Sequence, residues 1–179
     1  MKKQKNYGII FIYIYKTVWS DMMNPFAEKY RAFLSEFGQG RTMVLSTAEN
    51  DRVSSRMMSV VLINGCFCFQ TDTELRKYHQ LTVNPNVALC IDNIQIEGIC
   101  SEKGRPLDDS GFCETFQKCF KGSFDEYSSL DNERLFYVRP LFIERWKYVD
   151  KIPYIEIFDI ENERYSCERY MGKGDEMNG

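Results

Sequence analysis

The pair Asn64-Gly65 sits between two runs, Val53–Ile63 and Cys66–Gln70, in which apolar residues loosely alternate with polar ones. A period of two is the pattern of a half-buried strand. Asn-Gly accepts positive φ at both central positions of a two-residue hairpin, so the two runs are expected to pair antiparallel around it. The following residues, Thr71-Asp72-Thr73-Glu74, read as a helix start. Asp72 or Thr73 can accept a bond from a free backbone N–H, and Glu74 suits the positive end of the helix dipole. Arg76 and Lys77 then fall within the first turn or so of that helix, and Arg56 lies on the first strand of the hairpin. Three cations and several hydroxyls can converge on one place, which predicts an anion site, most naturally for a phosphate. Phosphate recognition uses the fork of Arg, the point charge of Lys, hydroxyl donors and backbone N–H groups at a helix start. The unit from Val53 to Leu81 holds all four. The competing reading of any Arg-Lys pair is plain solvated surface.

Four short segments add a resemblance. They are Ser54-Ser55-Arg56-Met57, Phe69-Gln70-Thr71, Arg76 through Leu81, and Asn84-Pro85-Asn86-Val87-Ala88-Leu89. In residue types, order and spacing they resemble the pyridoxamine 5'-phosphate oxidase-like FMN-binding split barrels, best over residues 33–99 and in outline elsewhere. The resemblance implies an antiparallel split β-barrel with flanking helices, mainly β and α+β in the broad sense. It implies a homodimer with two FMN sites shared across the interface. Arg56, Arg76 and Lys77 would neutralise the FMN phosphate, with Thr71 and Ser59 donating hydroxyl bonds. Backbone groups of Met57, Met58 and Gln70–Thr71 would border the isoalloxazine ring. In the family a side chain near Asn93 and Gln95 reaches the flavin from the second subunit. The alignment favours Asn93, and an ordinary turn is the other reading. Members that oxidise pyridoxamine phosphate carry a C-terminal Arg-rich segment, which this chain lacks, so a reductase of another, unknown substrate is expected. No catalytic acid or base stands out.

The remainder of the chain agrees with one globular domain. Its 179 residues suffice for one real core. The net charge of −3 argues against a nucleic-acid surface. Residues 1–16 pair a basic start with an apolar, aromatic run too short for a membrane span, which needs roughly 20 residues. That run reads either as an extra β-segment or as an extension over 1–22 ahead of a start at Met22 or Met23. Asn24-Pro25-Phe26 looks like a proper beginning and favours the extension, leaving a domain over 23–171 and a loose polar tail over 172–179. Seven cysteines without a CxxC pair and a single histidine, His79, give no zinc spacing. They suit packed, reduced thiols in a cytoplasmic protein.

Phe26–Phe37 has apolar residues at helical spacing and stops at Gly38. Arg41–Ala48, Val87–Asp92 and Ile94–Glu102 read as strands. Lys103–Leu130 reads as a helical insertion in which Asp108 or Asp109 caps a helix, Gly122-Ser123 breaks it, and Ser123–Leu130 forms a second short one. Arg134–Arg139, Leu141–Tyr148, Tyr154–Asp159 and Glu163–Cys167 read as closing strands, and Trp146 as core or as a cofactor neighbour in the partner subunit. Three functions stay open: an FMN-dependent oxidoreductase, a flavin-binding protein that stores or senses redox state without turnover, and a split barrel adapted to haem or a deazaflavin. A glycine-rich nicotinamide fingerprint is absent, so NAD(P)H would bind transiently over the flavin.

Overall fold

A computed structural model describes residues 25–172. The expected extension at 1–22 lies outside the described residues, as does the expected tail beyond Gly172. Helix α1 spans Pro25–Phe37, and strands β1 (Gly40–Glu49), β2 (Arg52–Ile63) and β3 (Cys66–Asp72) follow. Helix α2 (Arg76–Val83) leads into β4 (Asn86–Ile91) and β5 (Ile94–Glu102). Next come a 3₁₀ turn at Pro106–Asp108, α3 (Ser110–Cys119) and α4 (Lys121–Tyr127). Strands β6 (Glu133–Val149), β7 (Ile152–Asp159) and β8 (Arg164–Arg169) close the order.

The hairpin forms as its turn chemistry requires. Asn64 and Gly65 both have positive φ, 49° and 79°, and Ile63 pairs with Cys66 across the turn. The β1–β2–β3 meander is continued by β3 pairing with β6, β6 with β5, β5 with β4, and β4 with β1. These six antiparallel strands close a barrel, the split-barrel fold expected, and closure removes the edges that its apolar strands would expose. Strands β7 and β8 extend the sheet from the second half of β6.

One end of the barrel is plugged by α1. Phe26, Phe33 and Phe37 are buried on one helix face, and Phe33 packs against Phe158 of β7 with ring centroids 5.3 Å apart. Each such ring contributes about 1.5–3 kcal/mol through its apolar area. A charged network anchors the same corner. Arg145 on β6 pairs with Glu36 of α1 at 2.7 Å and donates from Nε to Glu156 of β7 at 2.7 Å. Glu156 also accepts from Lys147 at 2.7 Å and from the Tyr165 hydroxyl at 2.9 Å.

Three expectations need correction. The residues on either side of Pro140 form one strand, not two. Pro140 stands opposite Gly98 where the β5–β6 register shifts, so a bulge absorbs the missing N–H. The helix after β3 begins at Arg76, not at Asp72 or Thr73. Strand β3 continues through Asp72, whose Oδ1 instead accepts from the Glu74 N–H at 2.7 Å, and Leu75 precedes the helix in extended conformation. A side chain that caps its own turn competes with the helix for those residues. In the insertion, Asp109 caps α3 through the Phe112 N–H at 2.8 Å, but the helix breaks at Phe120 (φ −139°, ψ 53°) and α4 contains Gly122 and Ser123. Phe120 packs on Phe116 at 5.3 Å, and burying that ring outweighs the weak helix propensity of Gly122.

Candidate functional site

Strands β2 and β3, the start of α2, helices α3 and α4 and the first residue of β6 enclose a cleft of about 420 Å³. That is within the ~300–1,000 Å³ of small-molecule sites. The hairpin supplies one wall: Met57, Met58 and Ser59 from β2, and Gln70, Thr71 and Asp72 from β3. Lys77, in the first turn of α2, lies at the open end of β3, and the α3–α4 insertion folds over the far side. Gln70 is fixed by the Ser128 hydroxyl, which donates to its Oε1 at 2.7 Å.

Thr71 is the most telling residue of the wall. Its side chain is 2% exposed, and its Oγ1 has no hydrogen-bond partner among the described residues. A buried hydroxyl left unpaired costs about 1–3 kcal/mol. A ligand that accepts from Thr71 would remove that penalty. Around the mouth stand Met57, Leu75, Tyr127 and Leu130, all exposed large apolar side chains. They suit a flat, largely apolar ligand carrying a polar end.

The electrostatics are mixed. Lys77 is held below the ordinary lysine range, first by burial and then by the Arg56 charge, against the pull of Glu133 and Asp72. Glu133, the first residue of β6, is pushed up to about 7 by burial and by Asp72 beside it, against the opposite pull of Lys77. Arg56 belongs to the same field but does not line the cleft. Its guanidinium donates to Thr47 Oγ1 at 2.7 Å, to Gln80 Oε1 at 2.8 Å and to the Leu45 carbonyl at 3.3 Å. No carboxylate pairs with Arg56 among the described residues. Burial, followed by the nearby Arg76, shifts its equilibrium toward deprotonation.

Of the nine residues expected at the site, Met57, Met58, Ser59, Gln70, Thr71 and Lys77 line the cleft together. Arg56 lies behind the wall, and Arg76 is exposed at the start of α2. Asn93 is elsewhere. It occupies the turn between β4 and β5, where its carbonyl accepts from the Trp146 N–H at 3.0 Å, and it lines a separate depression with Arg41, Arg145 and Trp146. Sequence reasoning missed Glu133, Tyr127 and Leu130. Glu133 is brought to Asp72 by the β3–β6 pairing, a contact between distant parts of the chain that no local pattern reports.

The pyridoxamine 5'-phosphate oxidase family model matches residues 26–146, which include every residue lining this cleft. The chain belongs to that family. Members of this fold include General Stress Protein 26 from Bacillus anthracis, at 22% identity and a TM-score of 0.50 over 80% of this chain and 97% of that one. A pyridoxamine 5'-phosphate oxidase-related, FMN-binding protein from Nostoc punctiforme is similar at 14% identity and a TM-score of 0.52, over 86% and 97%. PhzG from Burkholderia lata, solved with tetrahydrophenazine-1-carboxylic acid, is similar at 14% identity and a TM-score of 0.51, over 81% and 90%. Identities this low establish the shared barrel alone. No curated protein matches the chain significantly in sequence.

Proposed function

We propose that the protein binds FMN in this cleft and is an FMN-dependent oxidoreductase. The observation that carries this reading is the buried, unpartnered hydroxyl of Thr71 in a cleft shared with Lys77. A phosphate or ribityl oxygen would accept from Thr71. Lys77 and Arg76 would neutralise the phosphate, and Arg56 would add its charge from behind the wall. The backbone N–H groups of Arg76 and Lys77 precede the first intrahelical bond of α2, so they are free to donate to an anion. Ser59 adds a second hydroxyl. Backbone groups of Met57, Met58 and Gln70 would border the ring, with Leu75, Tyr127 and Leu130 excluding water from its edge. Bound FMN would supply two-electron chemistry, for which the protein provides orientation and electrostatics. The FMN-binding protein from Nostoc punctiforme, which has this fold, supports flavin as the ligand.

In this reading the protein is a homodimer of the cytoplasm, with NAD(P)H as a transient electron donor. Val53 and Met57, two exposed apolar residues on one face of β2, would be covered by the second copy. The partner subunit's Asn93 would complete the site, which its own chain's Asn93 does not reach. Among the described residues no helix is long and apolar enough to cross a membrane.

The test is an absorbance spectrum of the purified protein, then titration with FMN, then NAD(P)H oxidation with candidate acceptors. Flavin absorbance with saturable FMN binding and turnover is expected. Failure to bind FMN would remove the reading. Binding without turnover by any donor and acceptor would leave a storage or sensing role.

A further inference from the structure

The cleft contains a second polar side chain without a partner. Glu133 is 5% exposed and lines the cleft, yet among the described residues its carboxylate makes no hydrogen bond or ion pair. Its neighbour across the β3–β6 ladder is Asp72. That carboxylate is satisfied: it accepts from Asn132 Nδ2 at 2.6 Å and from the Glu74 N–H at 2.7 Å. Two carboxylates therefore face a cleft whose one lining cation among the described residues is Lys77, and only one of the two is provided for.

The other charges near Glu133 do not change this. From β2, Arg56 is committed to Thr47 and Gln80, and from α2, Arg76 is exposed. On its own strand, Arg134 uses its Nη1 for the Asp131 and Glu133 carbonyls and pairs through Nε with Glu102 at 3.5 Å. On α4, Lys121 is paired with Asp125. With Glu133 ionised, Asp72, Glu133 and Lys77 sum to one net negative charge, which opposes a phosphate. With Glu133 neutral, the sum is zero and the Arg56 and Arg76 charges dominate. Protonation also turns Glu133 from acceptor to O–H donor, and together with Thr71 Oγ1 and Lys77 Nζ it completes a set of donors suited to an oxyanion.

We infer that Glu133 is a ligand-binding residue of the cleft, and that each phosphate-bearing ligand enters with one proton taken from solvent and held on the Glu133 carboxyl. The inference rests on the FMN reading and extends it to a residue outside the nine expected. Its consequence is that affinity falls as pH rises through the range in which free Glu133 ionises, near 7. Working above that value avoids the ligand's own titration, since a phosphate monoester loses its second proton near pH ~6.

The experiment is calorimetric titration of the full chain with FMN, and separately with a simple phosphate monoester, glycerol 3-phosphate, from about pH 7 to about pH 8.5 in two buffers of different ionisation enthalpy, from which linkage gives the protons exchanged. Uptake approaching one proton per FMN is expected at the upper end. Kd should rise toward about tenfold per pH unit. Glu133→Gln, which keeps the shape and cannot ionise, should bind without proton uptake and with a flattened pH profile. The phosphate arm should show the same proton if the phosphoryl group is what meets Glu133, whereas uptake with FMN alone would assign the contact to the ribityl chain or ring. A pH-independent Kd with no proton uptake by the unaltered protein would overturn the inference while leaving FMN binding intact. So would a Glu133→Gln variant that keeps the unaltered slope. Failure of FMN to bind at every pH would overturn the flavin reading itself, and this inference with it.

Discussion

Gln80 on α2 accepts through a single Oε1 from both Thr47 of β1, at 2.7 Å, and Arg56 of β2, at 2.8 Å. Its Nε2 donates in turn to the Ser54 hydroxyl at 3.2 Å. One fully buried amide thus ties the helix that carries Lys77 to the two strands behind it. Leucine would fill the same space and satisfy none of these groups. Gln80→Leu should therefore cost about 1–3 kcal/mol, the range for stranding buried donors, read as a lower denaturant midpoint with an unchanged slope. Because α2 would lose its anchor, FMN affinity should fall as well.

Thr71 separates binding from folding. Its hydroxyl is buried and unpaired, so Thr71→Val removes a desolvated polar group without removing a bond. The thermal midpoint should stay level or rise. FMN binding should weaken roughly tenfold or more, because a hydrogen bond to a charged group contributes about 1.5–3 kcal/mol. Flavin fluorescence titration beside a thermal melt checks both signs, and a variant that loses stability but keeps affinity would refute the role.

The paired change Arg76→Ala with Lys77→Ala tests the phosphate contact from the other side. Both residues sit at the start of α2, where alanine is at least as good a helix former, so the fold should survive. Loss of two charge-assisted contacts should weaken FMN by well over tenfold and reduce the salt dependence of what binding remains. An unchanged Kd would remove the phosphate assignment.

What the sequence made legible follows from the range over which each signal acts. The hairpin was readable because Asn64-Gly65 specifies a turn from two adjacent residues, and most of one cleft wall followed from it. Pro140 was misleading because a missing N–H reads as a break, whereas the relief lies about forty residues away at Gly98. A Cβ at Gly98 would stand 2.6 Å from the Arg139 carbonyl oxygen, so strand and bulge depend on a glycine that nothing nearby explains. Glu133 escaped notice for the same reason, since its neighbour Asp72 comes to it through the β3–β6 pairing. Gly98→Ala should accordingly cost about 1–3 kcal/mol or more, as overpacking does. Gly122→Ala, in α4 with open space around it, should gain up to about 1 kcal/mol. Paired thermal melts with shifts of opposite sign would bear out the bulge, and a neutral Gly98→Ala would refute it.

Two buried glutamates give stability opposite dependences on pH. At Glu156, burial raises the carboxyl's affinity for a proton, but bonds from Lys147, Tyr165 and Arg145 outweigh it and hold the group below the ordinary 4.5. A depressed acid contributes stability above its unfolded value, and that contribution is lost as pH falls through the folded one. At Glu133, burial and Asp72 raise the group to about 7. A raised acid stabilises the fold below its unfolded value of 4.5, and stability declines as pH climbs from there through about 7. The protein without ligand should therefore lose thermal stability as pH falls below 4.5 and as it rises from 4.5 through about 7. Glu133→Gln should flatten the loss on the upper side alone. Glu156→Gln should be less stable throughout, because Arg145 and Lys147 lose a buried countercharge, and should lack the acid-side slope. Melting temperatures of the three proteins from well below 4.5 to above about 7 decide it: an upper-side slope that survives in Glu133→Gln would assign that titration to another group.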